Sequence, residues 1–113
     1  MEKIYQAVAL EMGLKGWEER TSVVSEGYTK AVWKRKGDIG EWQFLIENTE
    51  KCRADEVFCL MELKAGKKFG AKLYTPKKVL DGVGINPILG TLQKGIERLV
   101  EKATGGGYVC QSL

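Results

Sequence analysis

Residues 56–76 read EVFCLMELKAGKKFGAKLYTP, and the fold turns on how this stretch is read. Glu56–Lys64 is apolar at nearly every position from Val57 to Met61, then again at Leu63. So short a run fits a buried strand, and it also fits a helix stopped by Gly66, because periodicity alone does not separate the two over nine residues. The next segment reads as a strand. Phe69–Thr75 alternates Phe69, Ala71 and Leu73 against Lys72 and Tyr74, the period-two signature of a sheet with one covered face. With Gly66 between them, the two segments form a hairpin, which Pro76 ends. Glu56–Lys64 is read as a central buried strand, with a helix capped by Gly66 as the alternative.

Upstream the same alternation appears twice more. Tyr28–Lys36 sets Thr29, Ala31 and Trp33 against Tyr28, Lys30, Val32, Lys34 and Lys36. Glu41–Asn48 sets Trp42, Phe44 and Ile46 against Gln43, Leu45 and Glu47. Trp17–Ser25, rich in threonine and valine, is a further strand. Short turns at Glu26-Gly27 and Gly37–Gly40 join these three strands as an antiparallel meander, and Thr49–Asp55 is a polar loop. Helices flank the sheet. Residues 2–13 carry Ile4, Tyr5, Val8, Ala9 and Met12 at helical spacing and stop at Gly13. Lys77–Ile85 reads as a loop, after which Asn86 is a good N-cap and Pro87 fits the first helical turn. The last helix runs to about Thr104 with a stripe of Ile88, Leu92, Ile96, Leu99, Val100 and Ala103, and Gly105–Gly107 ends it. The expected fold is α+β: an N-terminal helix, an antiparallel sheet of about five strands, and a C-terminal helix packed on one sheet face. Residues 1–113 form one domain, with 105–113 as a flexible tail.

Composition narrows the chemistry. Hydrophobic residues make up 43% and charged residues 29% of the chain, which places it in the globular class. No apolar run is long enough for a membrane helix, and Glu2 and Glu11 in the first helix argue against a signal peptide. The three cysteines, Cys52, Cys59 and Cys110, are an odd set with no close pair, which points to a reducing, cytoplasmic setting. Cys59, within VFCLM, reads as a small core residue. There is no histidine, so Ser–His and Cys–His catalysis and His-containing zinc sites are excluded.

Charge is unevenly spread. The chain has 18 basic and 15 acidic residues, and six of the lysines (Lys64, Lys67, Lys68, Lys72, Lys77, Lys78) fall within fifteen residues. Adding Lys30, Lys34, Arg35 and Lys36 brings ten positive charges into two segments, leaving 8 against 15 elsewhere. Lys30, Lys34, Lys36, Lys64 and Lys72 are expected on one sheet face, with Lys67 and Lys68 at the hairpin turn, Lys77 and Lys78 after it, and Tyr74 in phase with Lys72. Lysines neutralise phosphates and aromatic rings stack on bases, so Tyr28 and Tyr74 would complete a single-strand reader. The leading expectation is a small, non-enzymatic binding module without cofactor. Its partner is nucleic acid or, second, an acidic protein surface, with no membrane. Homodimerisation through an unpaired strand edge and an inhibitor or protein-interaction role are alternatives. The small size suits an accessory protein of a virus or mobile element. The three tryptophans, Trp17, Trp33 and Trp42, read as core, any exposed one marking a binding surface.

Two further features carry chemistry. VFCLMELKAGK (57–67) resembles the core strand of PD-(D/E)xK nucleases, in which an E-x-K pair follows a hydrophobic strand. The resemblance implies that Glu62 ligates Mg²⁺ while Lys64 orients the attacking water. The family needs an upstream acid. Asp55 lies roughly 23 Å from Glu62 along an extended strand, so Asp38 is the better candidate, with Glu11 as an additional acid. The second feature is Asp81–Pro87, a glycine-rich turn before a helix, whose free N–H groups suit a phosphate beside Lys77 and Lys78. It lacks the third glycine and the preceding parallel strand of a dinucleotide fingerprint, and otherwise reads as an ordinary loop.

Overall fold

The computed structural model describes residues 2–25, 28–48 and 52–104. Helix α1 spans Glu2–Leu14, and Ile4, Val8 and Met12, one turn apart, form its buried ridge. Gly16, at φ 85°, reverses the chain, and the Trp17 N–H donates to the Met12 carbonyl at 3.0 Å. Strand β1 (Glu18–Ser25) follows, then β2 (Tyr28–Lys36), β3 (Glu41–Asn48), β4 (Glu56–Ala65) and β5 (Lys67–Pro76). The strands lie in chain order, every neighbouring pair antiparallel: the three-strand meander and the hairpin read from the sequence are joined by β3 pairing with β4, which the sequence leaves open. Two glycines shape its turns. A Cβ at Gly40 would collide with the Lys64 carbonyl. Gly66, at φ 80°, is the single residue between the paired Ala65 and Lys67.

The 56–65 stretch is a strand, and its burial alternates: Val57, Cys59, Met61 and Leu63 are fully buried, while Phe58, Leu60 and Glu62 are only partly so. A helix would spread those four buried residues around its axis; a strand puts them on one face. β4 is interior to the sheet, as the strand reading has it, with one face fully buried and the other partly so. Among the described residues only one face of the sheet carries helices.

That covered face holds the core. Trp33 lies between Tyr5 and Phe44, with ring centroids 6.3 and 6.1 Å away. All three tryptophans are buried, so none marks an exposed surface. Helix α1 packs over β1 and β2. Helix α3 (Asn86–Ala103) packs over β4 and β5 through Ile88, Leu89, Leu92, Ile96 and Val100. Leu99, expected in that stripe, is 42% exposed, and Leu89 takes a core position instead.

The segment expected as a loop contains a short helix, α2 (Lys77–Gly82), which seats Leu80 in the core. Six residues with one buried anchor are too few for a helical period to show in the sequence. Asn86 does not cap α3 either. Ile85 holds the cap position, and no side chain of its own neighbourhood bonds there. Its N–H is met instead by the Glu11 carboxylate of α1, at 3.0 Å. The 105–113 tail, Cys110, and the Glu26-Gly27 turn lie outside the described residues.

Candidate functional site

The uncovered sheet face is the extended surface on which the sequence-predicted groups can meet. Directly paired residues share a face, so the register fixes its layout. Four rows cross it from β2 to β5. The first is Lys30, Glu47, Phe58, Tyr74; the second is Val32, Leu45, Leu60, Lys72. The third is Lys34, Gln43, Glu62, Gly70; the fourth is Lys36, Glu41, Lys64, Lys68. β1 extends three of them with Val23 beside Lys30, Thr21 beside Val32 and Glu18 beside Lys34. Neighbouring rows are about 7 Å apart and neighbouring strands about 4.8 Å.

The rows differ in character. Phe58 and Tyr74 form an aromatic pair with centroids 5.2 Å apart, Tyr74 being 52% exposed. Next to it runs an aliphatic row, in which Val32 is buried although no helix lies over it and Leu45 and Leu60 are half-buried. The third and fourth rows are charged with both signs. Glu18 pairs with Lys34 at 3.9 Å, Glu62 with Lys68 at 3.1 Å, and Arg20 donates to the Gln43 side-chain oxygen at 2.8 Å. Among the described residues, Lys36, Lys64 and Lys72 make no ion pair. The strand residues of this face comprise seven cations (Arg20, Lys30, Lys34, Lys36, Lys64, Lys68, Lys72) against five carboxylates (Glu18, Glu41, Glu47, Glu56, Glu62), Glu56 being paired with Arg53 of the preceding loop at 3.8 Å. That excess of two is most of the net charge of the chain, +3.

The structure therefore brings together Lys30, Lys34, Lys36, Lys64, Lys68, Lys72 and Tyr74, with Tyr28 at the rim, 38% exposed. It does not bring the other three lysines to them. Lys67 pairs with Ala65 on the covered side, its Nζ 5.6 Å from the Phe69 ring centre. Lys77 and Lys78 begin α2 and line a groove of about 380 Å³ with Glu2, Lys3 and Asp81.

The nuclease set is divided between the two faces. Glu62 and Lys64 line a depression on the open face with Arg20, Lys34 and Lys68. Asp38 lines a groove of about 460 Å³ on the helix side, with Trp17, Arg35, Trp42 and the α3 residues Gln93 and Glu97. Glu11 is engaged with the backbone of Ile85. Among the described residues no three carboxylates or cysteines are grouped to hold a metal ion. The Glu11 carboxylate also answers the phosphate reading of Asp81–Pro87, because it already supplies an anion at the N-terminus of α3.

Sequence reasoning missed Phe58, Leu60, Leu45 and Val32 as groups of this face and the five glutamates as their neighbours. A signal existed for the first. An apolar residue on the non-core phase of β3 and β4 means either a second covering layer or an open apolar face, and one sheet with helices on one side leaves only the latter. The glutamates needed the register, which carries Glu41 beside both Lys36 and Lys64.

Among the described residues two groups have shifted acidities, both structural. The Glu19 carboxylate accepts the Tyr5 hydroxyl hydrogen bond and holds that phenol above its usual range. Burial pushes the Cys59 thiol up to about 12, leaving it a neutral core residue.

The geometry defines an α+β domain with one bare, mixed-charge sheet face. Comparison with protein-family models, curated proteins and solved structures finds no match for the chain. No described helix is long and apolar enough to cross a membrane.

Proposed function

We propose that this protein is a non-enzymatic binding module that takes single-stranded nucleic acid across its open sheet face. The observation that carries the reading is the placement of the Phe58–Tyr74 pair on the same uncovered face as six lysines, where cations outnumber carboxylates. Bases stack on the aromatic row, while Lys36, Lys64, Lys68 and Lys72 contact phosphates. The aliphatic row Val32, Leu45, Leu60 favours a second reading, an apolar protein surface docking on the same face.

Titration of labelled single-stranded DNA and RNA, with and without Mg²⁺ and at several salt concentrations, separates these. Stacking supplies about 1–3 kcal/mol per base, so Tyr74→Ala should weaken binding by roughly 5- to 150-fold. The log–log salt slope should be about −0.7 for each phosphate contacted. Lys68→Glu with Lys72→Glu should abolish binding, whereas Lys77→Glu with Lys78→Glu on the covered side should weaken it far less. Equal losses from both double variants would refute a localised interface. Absence of binding at low salt would refute the nucleic-acid reading and leave the protein partner. Mg²⁺-dependent cleavage lost in Glu62→Ala and Lys64→Ala would instead support nuclease chemistry.

A further inference from the structure

The two edges of the sheet are built differently. β5 carries Lys67, Lys68, Lys72 and Pro76, and α2 and α3 pack against it. Lysine, proline and a covering helix are the devices that keep an edge strand from pairing with another chain. At the other edge, all eight residues of β1 are exposed. After an irregularity between Glu19 and Thr21, the run Thr21–Ser25 reads TSVVS, with no charge, no proline and no glycine. Val23 and Val24 are 50% and 38% exposed on opposite faces of this strand. A regular edge with exposed β-branched residues and nothing to blunt it is a template for another strand.

We propose that β1 pairs with β1 of a second copy of this chain, antiparallel, about a two-fold axis at Val23. The sequence of the edge is complementary to itself in this register. Val23 faces Val23 of the second copy, Thr21 faces Ser25, and Ser22 faces Val24. No charged residue stands opposite a like charge, because Glu18, Glu19 and Arg20 fall beyond the paired run. Thr21, Val23 and Ser25 share the open face with Val32, Lys30 and Tyr28. The pairing joins open face to open face and helix side to helix side, and yields one continuous ten-stranded sheet from two five-stranded ones. Such isologous pairing is closed: β5 stays protected at both ends, so the assembly stops at two copies. Edge pairing is independent of what the open face binds.

Light scattering coupled to size exclusion, over a dilution series of the full chain, should give twice the chain mass. Val23→Lys and Val23→Glu place like charges at the axis, where each variant alone should be monomeric with an unchanged circular dichroism spectrum. Mixed in equal amounts they place opposite charges there and should recover the dimer. Hydrogen exchange of the unsubstituted chain reads the same contact, with Thr21–Ser25 amides more protected at high than at low concentration. A monomer at every concentration, a dimer from either variant alone, a mixture that stays monomeric, or protection independent of concentration would each overturn the proposal.

Discussion

Replacing Glu11 by alanine removes the carboxylate that accepts the Ile85 N–H at 3.0 Å, a bond between residues 74 apart in the chain. It joins the first helix to the start of the last. A hydrogen bond to a charged group contributes about 1.5–3 kcal/mol when its loss leaves a partly buried donor unmet. A carboxylate at a helix N-terminus contributes about 0.3–1 kcal/mol, part of which is the same interaction. The expected loss for Glu11→Ala is therefore about 2 kcal/mol. Unfolding entropy near the midpoint is about 2.1 cal/mol/K per residue, or about 240 cal/mol/K for 113 residues, so this corresponds to a fall in Tm of about 8 °C. Glu11→Gln keeps an acceptor and loses only the charge, so it should cost about 0.5–1 kcal/mol. Urea titrations of the three proteins measure both, with equal m-values if only the bond is lost. Amide exchange should quicken first at Ile85 and the opening turn of α3. A Glu11→Ala protein within about 0.5 kcal/mol of the parent would refute the assignment, since that is the scatter of a neutral surface change. If Glu11 were a catalytic acid, the variant would lose activity at unchanged stability, the reverse of this expectation.

Other perturbations test the remaining structure. Thr29 is 1% exposed, and its hydroxyl finds no hydrogen-bond partner among the described residues, so Thr29→Val should stabilise the fold by about 1 kcal/mol. A destabilised variant in a urea titration would reveal a partner for that hydroxyl. Gly40→Ala forces a methyl group into the Lys64 carbonyl and should cost about 1–3 kcal/mol by the same measurement, the turn having to open for β3 and β4 to stay paired. The Cys59 thiol, with an ordinary value of 9.0, is raised to about 12 in the fold. The native state thus holds its proton longer than the unfolded state, and stability should fall between those two values by up to about 1.4 kcal/mol per pH unit. Cys59→Ala should flatten that slope, and mass spectrometry should find Cys59 alkylated only on global unfolding.

Most of the architecture was legible because strands with one covered face write their burial into alternate residues. Tyr28–Lys36 and Glu41–Asn48 begin and end in the structure where the sequence placed them. What could not be read was set by contacts between distant segments. α2 exists because Leu80 finds the core and Lys77 donates to the Asp55 carbonyl at 2.7 Å, neither of which is local information. The capping of α3 fell to Glu11 rather than Asn86 because tertiary packing put a carboxylate there first. On the candidate site, period two placed Lys30, Lys34, Lys36 and Lys72 correctly on one face, but it could not place Lys67, which turns to Phe69 across the tight hairpin.

The layout of the open face lets the two proposed modes of recognition be distinguished. Aromatic, aliphatic and charged groups occupy successive rows, so they can be perturbed separately; side chains two rows apart stand about 14 Å from each other along a strand. A polyanion must engage the charged rows, where the carboxylates of Glu41 and Glu62 already neutralise part of the field; its affinity therefore depends on the few lysines without such partners and falls with salt. An apolar partner must complete the burial of Leu45 and Leu60, which changes heat capacity far more than it changes salt response. Val32 is already 6% exposed, so the second row has little left to gain at its β2 end and most to gain at Leu60 beside Phe58 and Lys72. Whichever partner binds, the β4–β5 side of the face is where aromatic surface, unfilled apolar surface and unpaired lysine coincide, and contacts should concentrate there rather than on β2.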